Sequence, residues 1–218
     1  MQWYRVRDAR GSPCGIETGH ARPERGILFV TNYWTGKLVR LRPVEPGDAA
    51  AHYAFNDSLD SDLIDMRYPP ASRTMVEEWS ERKGRESFED QNFSFQMVDL
   101  ASGELVGGIA THHCDQRTGV LSYGLHVFAE HRGRGYASDA ICLVLRYYFQ
   151  ELRYQKANVG VYDLNEPSKA LHRRLGFVEE GRLRRTAFTR GAWWDLLWYG
   201  ITVEEFRDLH PDYWIGPA

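Results

Sequence analysis

A glycine-containing loop between a predicted strand and a predicted helix is the feature that most restricts the fold of this chain. Its sequence is Arg-Gly-Arg-Gly-Tyr-Ala, over 132–137. A strand is predicted before it, over 119–127, and apolar residues recur at helical spacing after it, from Ala137 to Tyr148. Two glycines let the backbone turn tightly and approach a ligand closely, and a helix start presents unpaired N–H groups with a partial positive charge. The loop is therefore either a phosphate or pyrophosphate site or a tight turn without a ligand.

Two familiar nucleotide-binding motifs do not match this loop. A Walker loop ends in Gly-Lys followed by Ser or Thr, whereas Gly135 is followed by Tyr136 and Ala137. A dinucleotide-binding fingerprint needs glycine or alanine three residues after Gly135, where this chain has Ser138. Neither motif identifies the anion that the loop would hold.

The rest of the chain predicts one mixed α/β domain, 37–218, preceded by an N-terminal extension, 1–36. The extension is rich in glycine, arginine and proline, which is typical of loops. In the domain, the apolar pattern predicts an antiparallel meander followed by a strand–helix–strand–helix–strand order. Strands are predicted at 27–30, 38–42, 93–98, 105–111, 119–127, 157–161, 177–178 and 193–199. Helices are predicted at 49–55 with Asp48 as cap, at about 72–83, at 137–148, and at 167–175 with Gly176 as its end.

Charge and cysteine content argue against several classes of protein. A net charge of −3 gives no general basic surface of the kind that nucleic-acid binding needs. The three cysteines have no Cys-x-x-Cys spacing, so they predict neither a zinc site nor a disulfide framework. The N-terminus does not resemble a signal peptide, and no segment approaches the roughly 18 apolar residues of a membrane helix. We therefore expect a cytoplasmic protein without metal, nucleic-acid or membrane partners.

Two motifs together resemble those of the GNAT superfamily of N-acetyltransferases. Arg132-x-x-Gly135-x-Ala137 is similar to its Arg/Gln-x-x-Gly-x-Gly/Ala loop. The segment 165–177, Asn-Glu-Pro-Ser-Lys-Ala-Leu-His-Arg-Arg-Leu-Gly-Phe, is similar to its second signature. Further residues follow in the order of its ribosomal-protein-alanine acetyltransferase-like branch: 180–184, Gly191, Asp195 and 199–201. The resemblance covers roughly 37–206 and makes coenzyme A the expected ligand of the loop.

The resemblance implies a fold and a set of coenzyme-binding residues. The sheet would be mostly antiparallel, with helices on both faces and two splayed parallel strands at the cofactor cleft. Backbone at Val127 and Ala129 would pair with the pantetheine arm in that cleft. Asn165 would bind the pantetheine or its thiol end together with Ser168, although Asn165 also suits a helix N-cap. Backbone N–H groups of the loop would hold the pyrophosphate of acetyl-CoA or another acyl-CoA: Arg132, Gly133, Arg134, Gly135, Tyr136 and Ala137.

The implied reaction is direct attack of an amine on acyl-CoA in a ternary complex. A base must take a proton from the amine, a backbone N–H stabilises the oxyanion, and a proton donor assists the leaving thiolate. Many relatives have glutamate where this chain has Ser122, and tyrosine where it has His172. Histidine can donate or accept a proton near neutral pH, so His172 and Ser168 are the predicted catalytic residues. His126 is an open candidate for the base, because its strand position does not settle which way its side chain points.

Other conspicuous residues favour structural interpretations. His112 and His113 are of metal-ligand type, but adjacent residues on a strand point to opposite faces, so a loop without metal is expected. Trp193 and Trp194 are expected in the core or at a dimer contact. One acidic group is either a solvated loop or an attraction for a cationic amine: Asp57, Asp60, Asp62 and Asp65.

The predicted function is transfer of an acyl group, with acetyl as the first expectation, to a primary amine. The acceptor would be an amine-bearing small molecule, such as an antibiotic or a polyamine, or a protein N-terminus. Three alternatives stay open: an acyl-CoA-binding protein with weak catalysis, because Ser122 replaces a carboxylate; a succinyl or longer acyl donor; and a nucleoside-triphosphate enzyme, which only the glycine loop supports. A homodimer is implied by the resemblance alone.

Overall fold

Residues 32–56, 69–86 and 91–215 are described by the computed structural model, and a seven-stranded sheet organises them. The strand order is β1-β2-β3-β4-β5-β7-β6. The strands are β1 Val39–Pro43, β2 Ser94–Asp99, β3 Leu105–Asp115, β4 Val120–Val127, β5 Lys156–Tyr162, β6 Val178–Thr189 and β7 Ala192–Thr202. Within this described sheet, β4 and β5 are parallel and the other neighbours are antiparallel. The predicted mixed, mostly antiparallel sheet is confirmed.

Helices cover both faces of the sheet. They are α1 Ala49–Asn56, α2 Arg73–Gly84, α3 Tyr136–Gln150, α4 Glu166–Arg174 and α5 Val203–Leu209. The side chain of Gln96 on β2 contacts His52 of α1, whereas its neighbour Met97 lies in the core that α3 helps to form. Because successive strand residues point to opposite faces, α1 and α3 lie on opposite sides. No helix in the described part of the chain is long and apolar enough to cross a membrane.

Helix α3 is buried on more than the one face that its sequence pattern predicts. Eleven of its 15 residues are buried. One side packs on the sheet, while the ring of Trp34 contacts that of Tyr147 at a tilt, with centroids 4.7 Å apart, and the ring of Phe206 in α5 lies 5.5 Å from that of Phe149. Residues of the predicted extension therefore pack on the domain where they are described, at 32–36.

The parallel pair β4 and β5 separates after three residues. Pairing runs from Val120 opposite Lys156 to Ser122 opposite Asn158. Beyond that point β4 continues to Val127 and β5 to Tyr162 without pairing to each other. A wedge-shaped gap therefore opens in the sheet, as the resemblance implied.

Several local predictions need correction. Asp48 does not cap α1: it ends a 3-10 turn, Pro46–Asp48, where its carboxylate accepts from Glu45 N at 2.8 Å and pairs with Arg42 at 2.7 Å. His112 and His113 lie in β3 rather than in a loop, at an irregularity of its pairing with β4. Of the short strand predicted at 177–178, only Val178 lies in a strand, as the first residue of the long β6, and α5 was not predicted. The predicted strand 27–30 lies outside the described residues.

Candidate active site

A cavity of about 500 Å³ occupies the gap between β4 and β5. Its walls are 123–127 of β4, 159–162 of β5, the loop 131–138 and one side of α4 from Asn165 to Arg174. This volume lies in the range of small-molecule sites. Every predicted site residue lines this cavity except Ala129, which lies in the 3-10 turn before the loop.

The glycine loop is shaped to receive an anion at one end of this cavity. Gly133 and Gly135 have φ of +77° and +90°, a left-handed conformation that glycine adopts without a steric penalty. Arg132 Nε donates to Val127 O at 3.0 Å and Arg134 Nη2 donates to Glu130 O at 2.9 Å, which fixes the loop against its own strand. Helix α3 begins at Tyr136, so its free N–H groups and positive dipole end lie at the loop.

Positive side chains surround the same end. Arg132, Arg134 and Arg174 line the cavity, and Arg174 Nη2 lies 3.2 Å from Ser138 Oγ in the first turn of α3. Guanidinium groups suit phosphate oxygens because they are permanently charged and present several donors. Backbone and side chains together therefore fit the phosphates of an acyl-CoA.

One buried carboxylate fixes the start of α3. Asp139 accepts from the backbone N–H groups of Lys37, Leu38 and Val39 at 3.1, 2.6 and 2.8 Å, and from the Tyr213 hydroxyl at 2.5 Å. Gly36 is needed beside it, because a Cβ there would lie 2.3 Å from Asp139 Oδ1. The loop is therefore held by β1 as well as by its own helix.

Helix α4 is capped by Asn165, one of the two roles left open for that residue. Asn165 Oδ1 accepts from Ser168 N at 3.0 Å, and Asn165 also lines the cavity. At the other end Gly176 has φ of +88°, which confirms the predicted left-handed end of the helix. Buried Lys169 holds the start of α4 against the end of β5 by pairing with Asp163 at 2.8 Å and Glu166 at 2.5 Å.

His172 is buried on α4 with both ring nitrogens engaged. Its Nδ1 lies 2.8 Å from Ser168 O and its Nε2 lies 3.0 Å from the Tyr123 hydroxyl. A carbonyl only accepts, so Nδ1 carries the proton and Nε2 accepts from Tyr123. Burial lowers the pKa of His172 to about 4 and raises the pKa of Tyr123 well above its usual value. The pair is therefore neutral at pH 7.

Ser168 lies next to this pair and lines the cavity. Ser168 Oγ lies 3.4 Å from His172 Nδ1, at the limit of a hydrogen bond, and the residue is half-buried. Since the Nδ1 proton of His172 is donated to Ser168 O at the shorter distance, the hydroxyl is not held tightly by the ring.

The structure settles the direction of His126, which the sequence left open. Its ring stacks on Phe55 of α1 with centroids 4.6 Å apart and lies 5.6 Å from the ring of His52. The residue also lines the cavity. Its Nε2 is buried and has no hydrogen-bond partner among the described residues. Burial, followed by the charges of His52 and Arg132, lowers the pKa of His126 to about 4.

Several residues that shape the site belong to neither of the two sequence motifs. Tyr123 belongs to an alternating strand and Asp139 to the first turn of a helix, where acidic residues are common. Their partners are distant in sequence, which is why no local pattern indicated them. Among the described residues there is no group of three His, Cys, Asp or Glu side chains that could hold a metal ion.

Known proteins share both the sequence and the fold. The model of the acetyltransferase (GNAT) domain family matches residues 39–178. The SPbeta prophage-derived uncharacterized N-acetyltransferase YokL of Bacillus subtilis (strain 168) is 39% identical over 182 residues, which are 84% of this chain and 99% of YokL.

Solved structures agree. A GCN5-related N-acetyltransferase from Brucella melitensis superposes with a TM-score of 0.69 at 26% identity, over 88% of this chain and 86% of that one. The spermidine N-acetyltransferase from Vibrio cholerae, solved in complex with CoA and spermine, superposes with a TM-score of 0.67 at 24% identity, over 77% and 97%. With the family match, the cavity at the strand gap and the anion loop taken together, the chain belongs to the GNAT family and is an acyl-CoA-dependent N-acyltransferase.

Proposed function

We propose that this enzyme transfers an acetyl group from acetyl-CoA to the primary amine of a small molecule, by direct attack within a ternary complex. The observation that carries the proposal is the gap between β4 and β5, which has an anion loop at one end and His126, Ser168 and the Tyr123–His172 pair around its interior. One opening therefore joins a coenzyme site to groups that can hold and move protons.

The coenzyme would lie along β4. The N–H groups and glycines of 132–137 would hold its pyrophosphate, and the edge of β4 that faces the gap would pair with the pantetheine arm near Val127 and Ala129. Pairing with β5 stops at Ser122, so the edge of β4 up to Val127 faces the cavity, whereas Ala129 lies in the turn beyond it. Asn165, which lines the cavity beside Ser168, would contact the thiol end.

The thioester of bound acetyl-CoA supplies the electrophilic carbonyl and the leaving sulfur. Ser168 would donate a proton to that sulfur, because the residue lines the cavity and its hydroxyl is not held tightly by His172. His172 acts through its neighbours: it holds the Tyr123 hydroxyl at 3.0 Å and fixes the first turn of α4 through Ser168 O at 2.8 Å. A neutral His172 suits this holding role better than direct proton donation.

The acceptor is proposed from chemistry and from one structural neighbour. The Vibrio cholerae enzyme is named for spermidine and was solved with spermine, which supports a small amine over a protein N-terminus. The acidic residues for which either a solvated loop or an attraction for a cationic amine is expected, Asp57, Asp60, Asp62 and Asp65, lie outside the described residues.

The test is thiol release from acetyl-CoA and succinyl-CoA with a panel of amines: spermidine, an aminoglycoside, an amino-acid ester and a short peptide. Turnover of a small primary amine with acetyl-CoA is the expected result. Tight coenzyme binding with no turnover of any acceptor would favour the alternative of a binding protein. Turnover with the peptide alone would replace the small-molecule acceptor by a protein N-terminus.

A homodimer through the sheet edge is a further part of the proposal. β6 is the last strand of the order, and its residues are almost all exposed. Large apolar side chains lie exposed on β6 and its neighbour β7: Val178, Leu183, Phe188 and Trp193. Exposed apolar strand edges mark contact surfaces. Light scattering at micromolar concentration should give twice the chain mass, and Leu183→Glu should give the monomer.

The last part of the proposal is that the enzyme acts in the cytoplasm. Cys114 and Cys142 are free thiols in the described structure, as expected in a reducing compartment, and acyl-CoA is an intracellular substrate. Fractionation of cells that express the full chain would check this, and recovery in the membrane or secreted fraction would contradict it.

A further inference from the structure

The side chain of Arg132 is bonded to the end of the strand that forms one wall of the cavity. Arg132 Nε donates to Val127 O at 3.0 Å. The chain between the two residues is the short 3-10 turn Ala129–His131, so the side chain reaches back past this turn to β4. The bond therefore joins the glycine loop directly to the edge of the strand.

The carbonyl of Val127 points into the gap between β4 and β5. On the other edge of β4, Phe128 N donates to Val106 O at 3.0 Å. The next opposed pair is Val127 with Gly107, and opposed pairs in an antiparallel ladder alternate between bonded and unbonded. The backbone groups of Val127 therefore point away from β3, to the side where pairing with β5 has already ended. Since Arg132 also lines the cavity, its guanidinium stands in the gap at the loop end of this edge.

The same edge has a second carbonyl deeper in the gap. Leu125 precedes Val127 by two residues, and backbone groups two residues apart on a strand point to the same edge. Their two carbonyl oxygens lie about 7 Å apart along an extended strand. The pantetheine arm of coenzyme A carries two amide groups and many rotatable bonds, so one of its N–H groups could be donated to either oxygen. The arm can thus pair with β4 in two registers, which place the thioester at different depths in the gap.

We infer that Arg132 is a positioning residue that selects between these registers. Its guanidinium occupies the carbonyl of Val127. A carbonyl oxygen can accept two hydrogen bonds, but the group that supplies the first stands where a second donor would have to enter. The amide of the arm is thereby directed to Leu125 O, nearer to the Tyr123–His172 pair. The inference rests on the proposed acyltransferase function and adds the residue that sets the depth of its thioester.

The two contributions of this arginine to the reaction have different kinetic signatures. A misplacement of about 1 Å can lower a rate by about 100-fold, so a coenzyme held in the wrong register contributes nothing to turnover. Unproductive binding lowers kcat without weakening affinity, because the wrong register is an additional way to bind. Loss of a positive charge beside the phosphates instead raises the Kd for acetyl-CoA and leaves kcat alone. Register and charge can therefore be measured separately.

Two variants at this position remove the same charge and differ in one hydrogen-bond donor. In Arg132→Gln the amide nitrogen stands as many bonds from the backbone as Nε of arginine, so it can still donate to Val127 O. Arg132→Met places a methyl group there. Calorimetry should give both variants the same weakened affinity for acetyl-CoA. With the best primary amine of the panel, kcat of Arg132→Met should be at least about tenfold below that of Arg132→Gln. Equal kcat in the two variants would overturn the inference.

Arg134 is the matched control on the same loop. Its bond to the backbone uses Nη2, which reaches Glu130 O in the turn and lies two bonds beyond the amide nitrogen that glutamine would supply. Arg134→Gln and Arg134→Met should therefore have equal kcat and equal affinity for acetyl-CoA. A difference as large as that at Arg132 would show a general effect of glutamine against methionine, and the inference would fail. It would fail too if Arg132→Met were unfolded, under assay conditions, to the extent of its loss in kcat.

A second measurement locates the coenzyme sulfur without any turnover. In a Ser168→Cys background, the methyl disulfide of coenzyme A can react with the introduced thiol. The thiolate attacks the coenzyme sulfur, the S–S bond breaks and methanethiolate leaves. Mass spectrometry follows the coenzyme adduct, and the chain with Ser168 intact reports the reaction of the native cysteines. At saturating reagent, Arg132→Met should slow this trapping by at least about tenfold relative to Arg132→Gln.

The trapping rates separate the inference from the proposed function. Equal rates in the Arg132→Gln and Arg132→Met backgrounds would overturn the positioning role, even if wild type acetylates amines. Trapping that depends on residue 132, in an enzyme that acetylates no amine, would support the positioning role and count against the proposed function alone.

Discussion

The hydroxyl of Tyr123 on β4 donates to Nε2 of His172 on α4 over 3.0 Å, in the wall of the cavity between β4 and β5. Both residues are buried, with 2% and 1% of their surface exposed. We expect Tyr123→Phe to lower the free energy of unfolding by about 1–3 kcal/mol, because Nε2 is left buried without a donor. Urea unfolding at pH 7.5 measures this. The double variant Tyr123→Phe/His172→Phe should lose less than the sum of the single variants, and strict additivity would show that the bond contributes nothing.

The free energy of unfolding should decrease as the pH is lowered, because of the same histidine. Burial lowers the pKa of His172 from 6.5 to about 4. Below pH 6.5 the unfolded chain binds a proton that the folded chain does not, so the stabilisation is complete above pH 6.5 and is lost as the pH falls towards 4. The loss at pH 5 is about 2 kcal/mol for one such group. Unfolding of wild type and His172→Phe at pH 7.5 and 5.0 checks this, and an equal difference in both proteins would contradict it.

Coenzyme affinity should depend on Gly135 through local backbone shape. Its φ of +90° strains any other residue, and an added Cβ would lie 3.0 Å from Leu38 Cδ1. We expect Gly135→Val to weaken acetyl-CoA binding by at least about tenfold, measured by calorimetry. Gly103→Val is the matched control, since Gly103 has φ of +76° in the turn between β2 and β3 and open space around it. Equal affinity in both variants would count against the loop as the pyrophosphate site.

The rate should respond to pH through the substrate rather than through His126. With a pKa of about 4, lowered by burial and then by His52 and Arg132, His126 is neutral from pH 5 upward; Asp48 acts on its neighbour His52. The amine must arrive without its extra proton, so kcat/KM should rise with pH up to the pKa of each amine. Two acceptors of different pKa should give two different midpoints. A common midpoint near 6.5 would point instead to an enzyme histidine of ordinary pKa.

The hydrogen bonds between Asp139 and the backbone at 37–39 should be broken by one added methyl group at Gly36. A Cβ at Gly36 would lie 2.3 Å from Asp139 Oδ1, so Gly36→Ala must displace the carboxylate from three backbone N–H groups. We expect a loss of about 2 kcal/mol or more in unfolding free energy, together with weaker acetyl-CoA binding. Gly47→Ala, where an added Cβ meets nothing within 4 Å, should leave both unchanged.

The sequence predicted the parts of the site that are made by local chain geometry. The strand, glycine loop and helix at 119–148 follow from periodicity and from glycine, and α4 is bounded by Asn165 and Gly176 as its capping residues require. These features depend on neighbours within a few residues, so local pattern is sufficient to find them.

Features made by distant partners were not predictable in the same way. The pKa of His172 is lowered because Tyr123 and Phe177 enclose its ring. The helical pattern of the sequence does not reveal these contacts. The direction of His126 depends on where α1 packs. β6 was missed beyond its first residues because both of its faces are largely exposed, and such a strand has no alternating pattern.

The carboxylate of Asp139 links the first turn of α3 to the chain that enters β1 and to the turn that follows α5. The segments that lead towards both ends of the chain are therefore hydrogen-bonded to the first turn of the helix that follows the glycine loop, and a truncation that removes Val39 or Tyr213 would remove one of these bonds. The two ends of the domain are thus coupled to the glycine loop through one carboxylate.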